Sequence, residues 1–452
     1  MNTLLVTVDS LRADRITERV MPQARSFADG GLEFTDCVAN GSSTPASFPA
    51  IHASRHFASV DGLGLPARGE GDVVTLAERL SDAGYVTAGF TDNHFASGSY
   101  QFDRGFDHVH DAGGTAEAGS LKQFVQSTLD KDGLLFRTIE RTYTAVDGLL
   151  SAAAGGAEYE RAASLNERAL SWIDNQDGDW FVWLHYMDPH HPYEPPAKYQ
   201  RTFLDESVGK RGCRSLSRTA THHPEEVSDA DWATLEALYD AECRYVDEQF
   251  GALLDALKDR GIRGETLTVF TADHGELFGE HGKGGHPGEF WEGVIHVPLV
   301  VDSVTGRTTE AVDDQVRLLD LPPTVTDALG LASAREWHGK SALAVADGAD
   351  PAEYAFGDVG RAIDYRKGYV RRADEWKLLD HHEDGEHLFD VRATPTELPD
   401  EERSDDRPET LATLRSALTD HRERMRELRS ESHGVGEDSE MVEDHLEDLG
   451  YL

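Results

Sequence analysis

Cysteine is scarce in this sequence. The three present, Cys37, Cys213 and Cys243, form no Cys-x-x-Cys pair and no even set, which excludes a disulfide framework and suits a reducing compartment. Long apolar runs are missing too. None approaches the ~20 residues that span a bilayer, so no membrane insertion is expected. The N-terminus has neither a basic stretch nor a small-residue cleavage site, and Met1-Asn2 leads straight into an apolar run, so a cytoplasmic location is expected. Positive charge is short as well: 43 basic against 84 acidic side chains give a net charge of −41, spread along the chain. Such a surface repels nucleic acid and anionic membranes, and neither is an expected partner. It points instead to a saline interior. At molar salt the Debye length falls to about 3 Å, which removes most of the self-repulsion, so a halophilic protein is expected.

What is present is a series of apolar runs that end in chemistry. Thr266–Ala272 carries Val269 and Phe270 among β-branched threonines, the composition of a strand covered on both faces, and Asp273-His274 follows at once. Ligands bind beyond the carboxyl ends of strands in open α/β sheets. With Gly275 and with His281 and His286 in a glycine-rich loop, the stretch offers oxygen and nitrogen ligands for a divalent metal. Leu4–Val8 is a second such run and ends in Asp9-Ser10. A parallel sheet brings both strand ends to one edge, so Asp9 and Asp273 are expected to meet at one cation. The run Ser42-Ser43-Thr44-Pro45 enters a helix start at Pro45. Its hydroxyls read either as an ordinary N-cap or as a nucleophile activated by that cation. Trp180–Tyr186 is a further strand, ending in a proline-stiffened loop that presents His190 and His191.

At 452 residues a large domain with a smaller appendage is expected. Helical spacing over 21–31, 76–84, 158–173 and 229–260 alternates with apolar strands, which makes the fold α/β: a large, doubly wound, mostly parallel sheet with helices on both faces. The segment 112–156 reads as a lid or insertion, and 201–228 as an irregular exposed excursion. Beyond about Ala355 short strands predict a small antiparallel sheet with a closing helix near 411–428. The expected organisation is a catalytic α/β domain over 1–345, a small α+β subdomain over 346–430, and an acidic tail over 431–452 that ends in a short helix.

Several separated stretches share one resemblance. The opening Val-Thr-Val-Asp-Ser-Leu-Arg-Ala-Asp-Arg, the segment Thr-Pro-x-Ser-Phe-Pro-Ala-Ile and Gly105-Phe106-Asp107 belong to the set. So do His-Tyr-Met-Asp-Pro-His-x-Pro-Tyr, Asp-His-Gly-Glu-Leu-Phe-Gly-Glu-His-Gly, His296-Val297-Pro298-Leu299 and the terminal Leu-Gly-Tyr-Leu. Together they resemble the sulfatase branch of the alkaline phosphatase superfamily, in its haloarchaeal type, over nearly the whole chain. The resemblance implies an alkaline-phosphatase-like fold and a nucleophile that is also a metal ligand. The Cys-x-Pro-x-Arg motif, whose cysteine becomes formylglycine, is absent. Counting back from Ser54-Arg55 sets Thr44 on the nucleophile position, with Phe48 in place of the arginine, whereas keeping the proline two residues on selects Ser43.

By the same resemblance the metal set is Asp9, Thr44, Asp273 and His274, with Ser10 where a second aspartate is usual. That set implies one divalent ion, manganese first, with zinc or calcium as alternatives. His190 resembles the general acid, His286 holds a substrate oxygen when protonated, and Asn93, His281 and Ser43 contact substrate. The implied activity is metal-dependent hydrolysis of sulfate or phosphate esters, of a small molecule or a glycan, through a Thr44 ester. Phosphodiester or phosphonate hydrolysis and phosphoglycerol-type transfer are alternatives, as is a degenerate member that only binds. An oligomer is compatible with all of these.

Overall fold

The computed structural model describes residues 1–60, 64–68, 73–96, 98–111, 159–286, 288–302, 311–359, 367–381 and 384–431. The expected lid at 112–156 and the acidic tail from 432 onward lie outside the described residues.

Among the described residues ten strands precede the second sheet. They are β1 (Asn2–Val8), β2 (Leu32–Val38), β3 (Val86–Thr91), β4 (His108–Asp111), β5 (Trp180–Tyr186), β6 (Thr266–Ala272), β7 (Leu277–Phe278), β8 (Gly284–Gly285), β9 (His296–Val301) and β10 (Val316–Arg317). Eight of them form one sheet in the order β10-β2-β9-β6-β1-β5-β3-β4. Within it β9 runs against its neighbours β2 and β6, and the other pairings are parallel. The central strands β5 and β6 are buried at every residue and β1 at all but Asn2, as their unbroken apolar and threonine composition requires of strands covered on both faces. The carboxyl ends of β1, β2, β3, β5 and β6 therefore open on one edge.

A long helix, Asp229–Asp259, starts at Ser228, whose hydroxyl accepts from the Asp231 amide. It buries Leu235, Leu238, Tyr239, Val246, Phe250, Leu253 and Leu257, a stripe at helical spacing, and leads into β6. The excursion expected at 201–228 is a correction: most of it is helical, in Ala197–Phe203 and Lys210–His222. The second of these buries Cys213, Ser217 and Ala220, small residues that leave no large apolar stripe in the sequence.

The second sheet is antiparallel, with β11 (Tyr354–Val359), β12 (Lys367–Arg372), β13 (Trp376–His381) and β14 (Gly385–Asp390) in sequence order. Alternate residues face opposite ways. Val370, Leu378 and Leu388 pack with Leu414 and Leu418 of the helix Pro408–Glu431, while Tyr369, Leu379 and Phe389 join the core of the large sheet. Among the described residues no helix is long and apolar enough to cross a membrane.

Candidate active site

Asp9 and Asp273 follow directly on β1 and β6, whose register pairs Val8 with Ala272, so the two carboxylates stand side by side and both are fully buried. Ser10 ties them together. Its amide donates to Asp273 Oδ1 at 3.2 Å and its hydroxyl to Asp9 Oδ1 at 2.8 Å. To do so it takes φ 58°, a conformation uncommon outside glycine, and Tyr239 Oη secures the turn by donating to the Ser10 carbonyl at 2.8 Å.

Beyond β2 the chain enters the helix Thr44–Ala53, one residue earlier than the sequence suggested, with Ser43 at the cap position. The capping reading fails for both hydroxyls. Ser43 makes no side-chain cap bond, and Thr44 Oγ1 turns inward to donate to Asp9 Oδ2 at 3.2 Å. Every residue of this helix is buried. Phe48, one turn on, meets Phe102, Trp183 and His185 edge to face at centroid distances of 5.3, 5.6 and 5.2 Å, so the position carries an aromatic floor beneath the site and no cation.

Asp9 Oδ2 also faces Asn93, whose Nδ2 donates at 3.2 Å, and His185 Nε2 at 3.4 Å. His185 sits within β5, opposite Thr7 of β1. Thr7 Oγ1 accepts from Trp183 Nε1 at 2.9 Å and lies 2.8 Å from His185 Nδ1 and 3.4 Å from the Leu184 carbonyl, which fixes the ring with Nε2 toward Asp9. The sequence reading did not single out His185, because it lies inside an apolar strand with no loop or glycine beside it. Burial alone would raise the Asp9 pKa, yet His190, His185 and His274 together hold it well below the usual carboxylate range. Burial and the Asp9 charge push Asp273 up to about 8, against smaller pulls from His185 and the Thr44 hydroxyl.

His274 completes the group. Its Nδ1 donates to the Gly275 carbonyl at 2.9 Å, and Nε2 faces the carboxylates, 3.8 Å from Asp9 Oδ1 and 3.6 Å from Asp273 Oδ2. Asp273 Oδ2 and His274 Nε2 are buried without a hydrogen-bond partner. Buried polar atoms left unpaired are costly and a cation between them would satisfy both, so the residues fit a divalent ion. Asp9, Asp273 and His185 also form a compact potential ligand set.

The remaining expected residues divide. The His286 ring lies 4.4 Å from that of His274 and 5.2 Å from that of His190. His286 Nδ1 meets Glu276 Oε1 at 3.1 Å, and Tyr193 Oη donates to the other Glu276 oxygen at 2.9 Å. Burial, His274 and His190 push His286 well below its usual pKa. Glu276, three residues after Asp273, belongs to the same Asp-His-Gly-Glu motif. His281 turns its backbone at φ 57° and stacks its ring on Trp291 at 3.7 Å, beside a depression lined by Lys283, Lys367, His381 and His387. Burial lowers its pKa, with Glu280, Lys377 and Glu289 as its charged neighbours.

A family model described as Sulfatase matches residues 1–331. Among curated relatives, a choline-sulfatase of Rhizobium meliloti is 26% identical over 57% of this chain and 54% of its own length. The chain thus spans about half the length of that relative. Among solved structures, a phosphonate monoester hydrolase of Agrobacterium radiobacter superposes with a TM-score of 0.66 at 20% identity, over 95% of this chain and 96% of its own. BT4656, solved with its substrate D-glucosamine-2-N,6-O-disulfate, superposes with a TM-score of 0.68 at 17% identity, over 96% and 99%. At those identities the likeness concerns the fold.

Proposed function

Because the chain belongs to the sulfatase family, as the match over residues 1–331 establishes, we propose that it is a metal-dependent hydrolase of sulfate or phosphate esters with Thr44 as its nucleophile. The observation that carries this reading is the placement of Thr44 Oγ1. It begins a buried helix, caps nothing, and donates to Asp9 Oδ2 at 3.2 Å beside the orphaned atoms of Asp273 and His274. The ion would be held by Asp9, Asp273, His274 and Thr44, and we take manganese as first choice over zinc or calcium. When bound, it supplies the charge that lowers the hydroxyl pKa and offsets negative charge on the transferred group.

The chain's own residues supply the rest. The Thr44 proton points at Asp9, which orients the oxygen lone pairs away from the carboxylate and toward an ester phosphorus or sulfur. His190 Nδ1 is fixed by the His191 carbonyl at 2.6 Å, so Nε2 is the atom through which it protonates the departing oxygen. His286, anchored by Glu276, orients the ester group, and Asn93 and Ser43 line its approach. Water then hydrolyses the Thr44 ester at the heteroatom. A formylglycine sulfate can collapse to an aldehyde, but a plain threonine ester cannot. Phosphate monoesters, phosphodiesters or phosphonates are therefore favoured over sulfate esters, of a small molecule or a glycan. The acidic surface favours a salt-rich cytoplasm as the setting.

The test is a variant pair assayed with aryl sulfate, phosphate monoester, phosphodiester and phosphonate substrates. Thr44→Ala is expected to lose several orders of magnitude in kcat while Ser43→Ala loses little, and mass spectrometry of a quenched reaction should find the added group on the Thr44 peptide. The opposite ranking moves the nucleophile to Ser43. Full activity in both, or in neither parent nor variant, ends the covalent reading and favours a protein that only binds.

A further inference from the structure

The helix Lys210–His222 runs against the composition of the chain. From Ser207 to Pro224 there is no acidic residue, although the sequence holds 84, and the stretch carries Lys210, Arg211, Arg214, Arg218, His222 and His223. Lys210 and Arg211 stand in the first turn, which has no acidic residue, so they face the positive end of the helix dipole. Cations there do not serve the helix. Nor do ion pairs account for all of them. Lys210 and Arg214 turn to Glu194 at 3.7 and 3.4 Å, whereas Arg211 and Arg218 are exposed and form no ion pair among the described residues. Positions 211, 215, 218 and 222 recur at helical intervals, so Arg211, Arg218 and His222 make one stripe, broken only by Ser215. Cys213, Ser217 and Ala220 are buried on the opposite side, and the stripe faces solvent over about 16 Å, at 1.5 Å per residue. Its far end adjoins the active site. A Cβ at Gly284 would lie 2.7 Å from the Ala220 carbonyl oxygen, and one at Gly285 would lie 3.9 Å from Thr221 Oγ1 and 4.0 Å from His191 Cδ2. Gly285 directly precedes His286, and the Tyr193 amide donates to Ser217 Oγ at 3.4 Å, so the helix is fastened to both loops that bring histidines to the site.

We propose that the face formed by Arg211, Arg218 and His222 docks a linear, base-free polyanion and leads one of its ester groups toward Thr44. The fate of that ester rests on the hydrolase reading; the docking does not. Charge complementarity selects the occupant. A surface of net charge −41 repels polyanions, and this helix offers them unpaired arginines with no acidic residue among them. Length narrows the choice, because a small ester meets one of these cations, whereas a stripe of about 16 Å takes several charges of one chain. Guanidinium forks grip oxyanions through two parallel hydrogen bonds, and contacts of about 3 Å lie within the Debye length even at molar salt. The helix contains no aromatic residue and so has no platform on which bases could stack, which sets single-stranded nucleic acid aside.

The test is calorimetric binding of long-chain polyphosphate and of dextran sulfate to the full chain over a salt series. Arg211→Gln with Arg218→Gln is set against Lys258→Gln with Arg335→Gln, which removes the same charge from exposed positions outside the helix. The helix variant should bind at least about tenfold more weakly, and its slope of log affinity against log salt should fall by about 1.5 to 2, for two lost cations. The control should match the unaltered chain. With a small aryl ester as reporter, the tighter-binding polymer should raise KM and leave kcat unchanged in the unaltered chain, and do so far less in the helix variant. If no ester is hydrolysed, the hydrolase reading ends, and calorimetry alone still decides the docking. Equal losses in both variants, or none in either, overturn the proposal, as does polymer binding that leaves KM untouched. Tighter binding of single-stranded DNA of the same charge would make the face a nucleic-acid site. A dimer of the unaltered chain that the helix variant lacks in sedimentation would make a second acidic copy the occupant, and either result overturns it too.

Discussion

Asp9 carries more of the candidate site than any other side chain. It accepts from Ser10 at one oxygen and from Thr44 and Asn93 at the other, and His185 and His274 stand beside it. Asp9→Asn keeps the shape but exchanges one acceptor oxygen for a donor amide. It should abolish tight divalent-ion binding at the carboxylate site, measured calorimetrically at matched ionic strength. His185 offers a sharper question, because Thr7 holds its Nδ1 at 2.8 Å and its Nε2 faces Asp9 at 3.4 Å, the placement of a support for that carboxylate. His185→Phe should therefore weaken binding by about 10–100-fold, the usual effect of losing a ligand's partner. A loss as complete as that of Asp9→Asn would make His185 a ligand itself.

Among the elements, the parallel strands do the assembling. Five strand ends, those of β1, β2, β3, β5 and β6, open on the same edge and bring in Asp9, Thr44, Asn93, the His190 loop and Asp273 in turn. The turn after β6 is held from outside the sheet: the amides of Gly275 and Glu276 donate to the carbonyls of Val294 and Gly293 at 2.7 and 3.0 Å. A Cβ at Gly275 would lie 2.2 Å from the Gly293 carbonyl oxygen and 3.1 Å from Arg12 Cγ, so backbone has to move. Gly275→Ala should cost about 1–3 kcal/mol in urea unfolding, as overpacking of a rigid contact does. Ion affinity should fall with it, because the turn carries Asp273 and His274. Unchanged affinity would show that the turn is not what aims those ligands.

Over the whole molecule, charge sets two expectations. A net charge of −41 predicts a melting temperature that rises steeply from dilute buffer to molar KCl, as the Debye length contracts from about 10 to about 3 Å. A flat profile would leave the acidic surface without a halophilic role. Inside, Lys377 is fully buried and reaches Glu292 at 2.9 Å and Glu397 at 2.6 Å, joining the second sheet to the segments before β9 and after β14. Lys377→Met would strand two buried carboxylates and should cost about 3–5 kcal/mol. Burial, partly offset by Lys377, holds Glu397 up at about 7. Unfolded, a glutamate titrates near 4.3, so this group's contribution is complete below about 4.3 and is lost as pH rises to about 7. Glu397→Gln should flatten that decline in unfolding free energy against pH, and an unaltered slope would assign it to other groups.

The strands and the long helix were legible because burial on both faces, or along one stripe, writes itself into local composition. Trp180–Tyr186 could be read to the residue. Asp9, Asp273 and His274 could be found because each ends an apolar run abruptly. The helix Lys210–His222 could not be read, because Cys213, Ser217 and Ala220 are too small to mark a buried face. Nor could His185 be picked out, since a histidine inside a strand looks like core until the neighbouring strand sets Thr7 and Asp9 beside it. Local sequence thus determined which segments are strands and which side chains end them, because those are properties of near neighbours. Register, the inward turn of Thr44, the removal of His281 to Trp291 and the meeting of His190 and His286 were decided by tertiary structure. Each depends on contacts between segments far apart in the chain, and only the packed sheet and its loops bring those segments together.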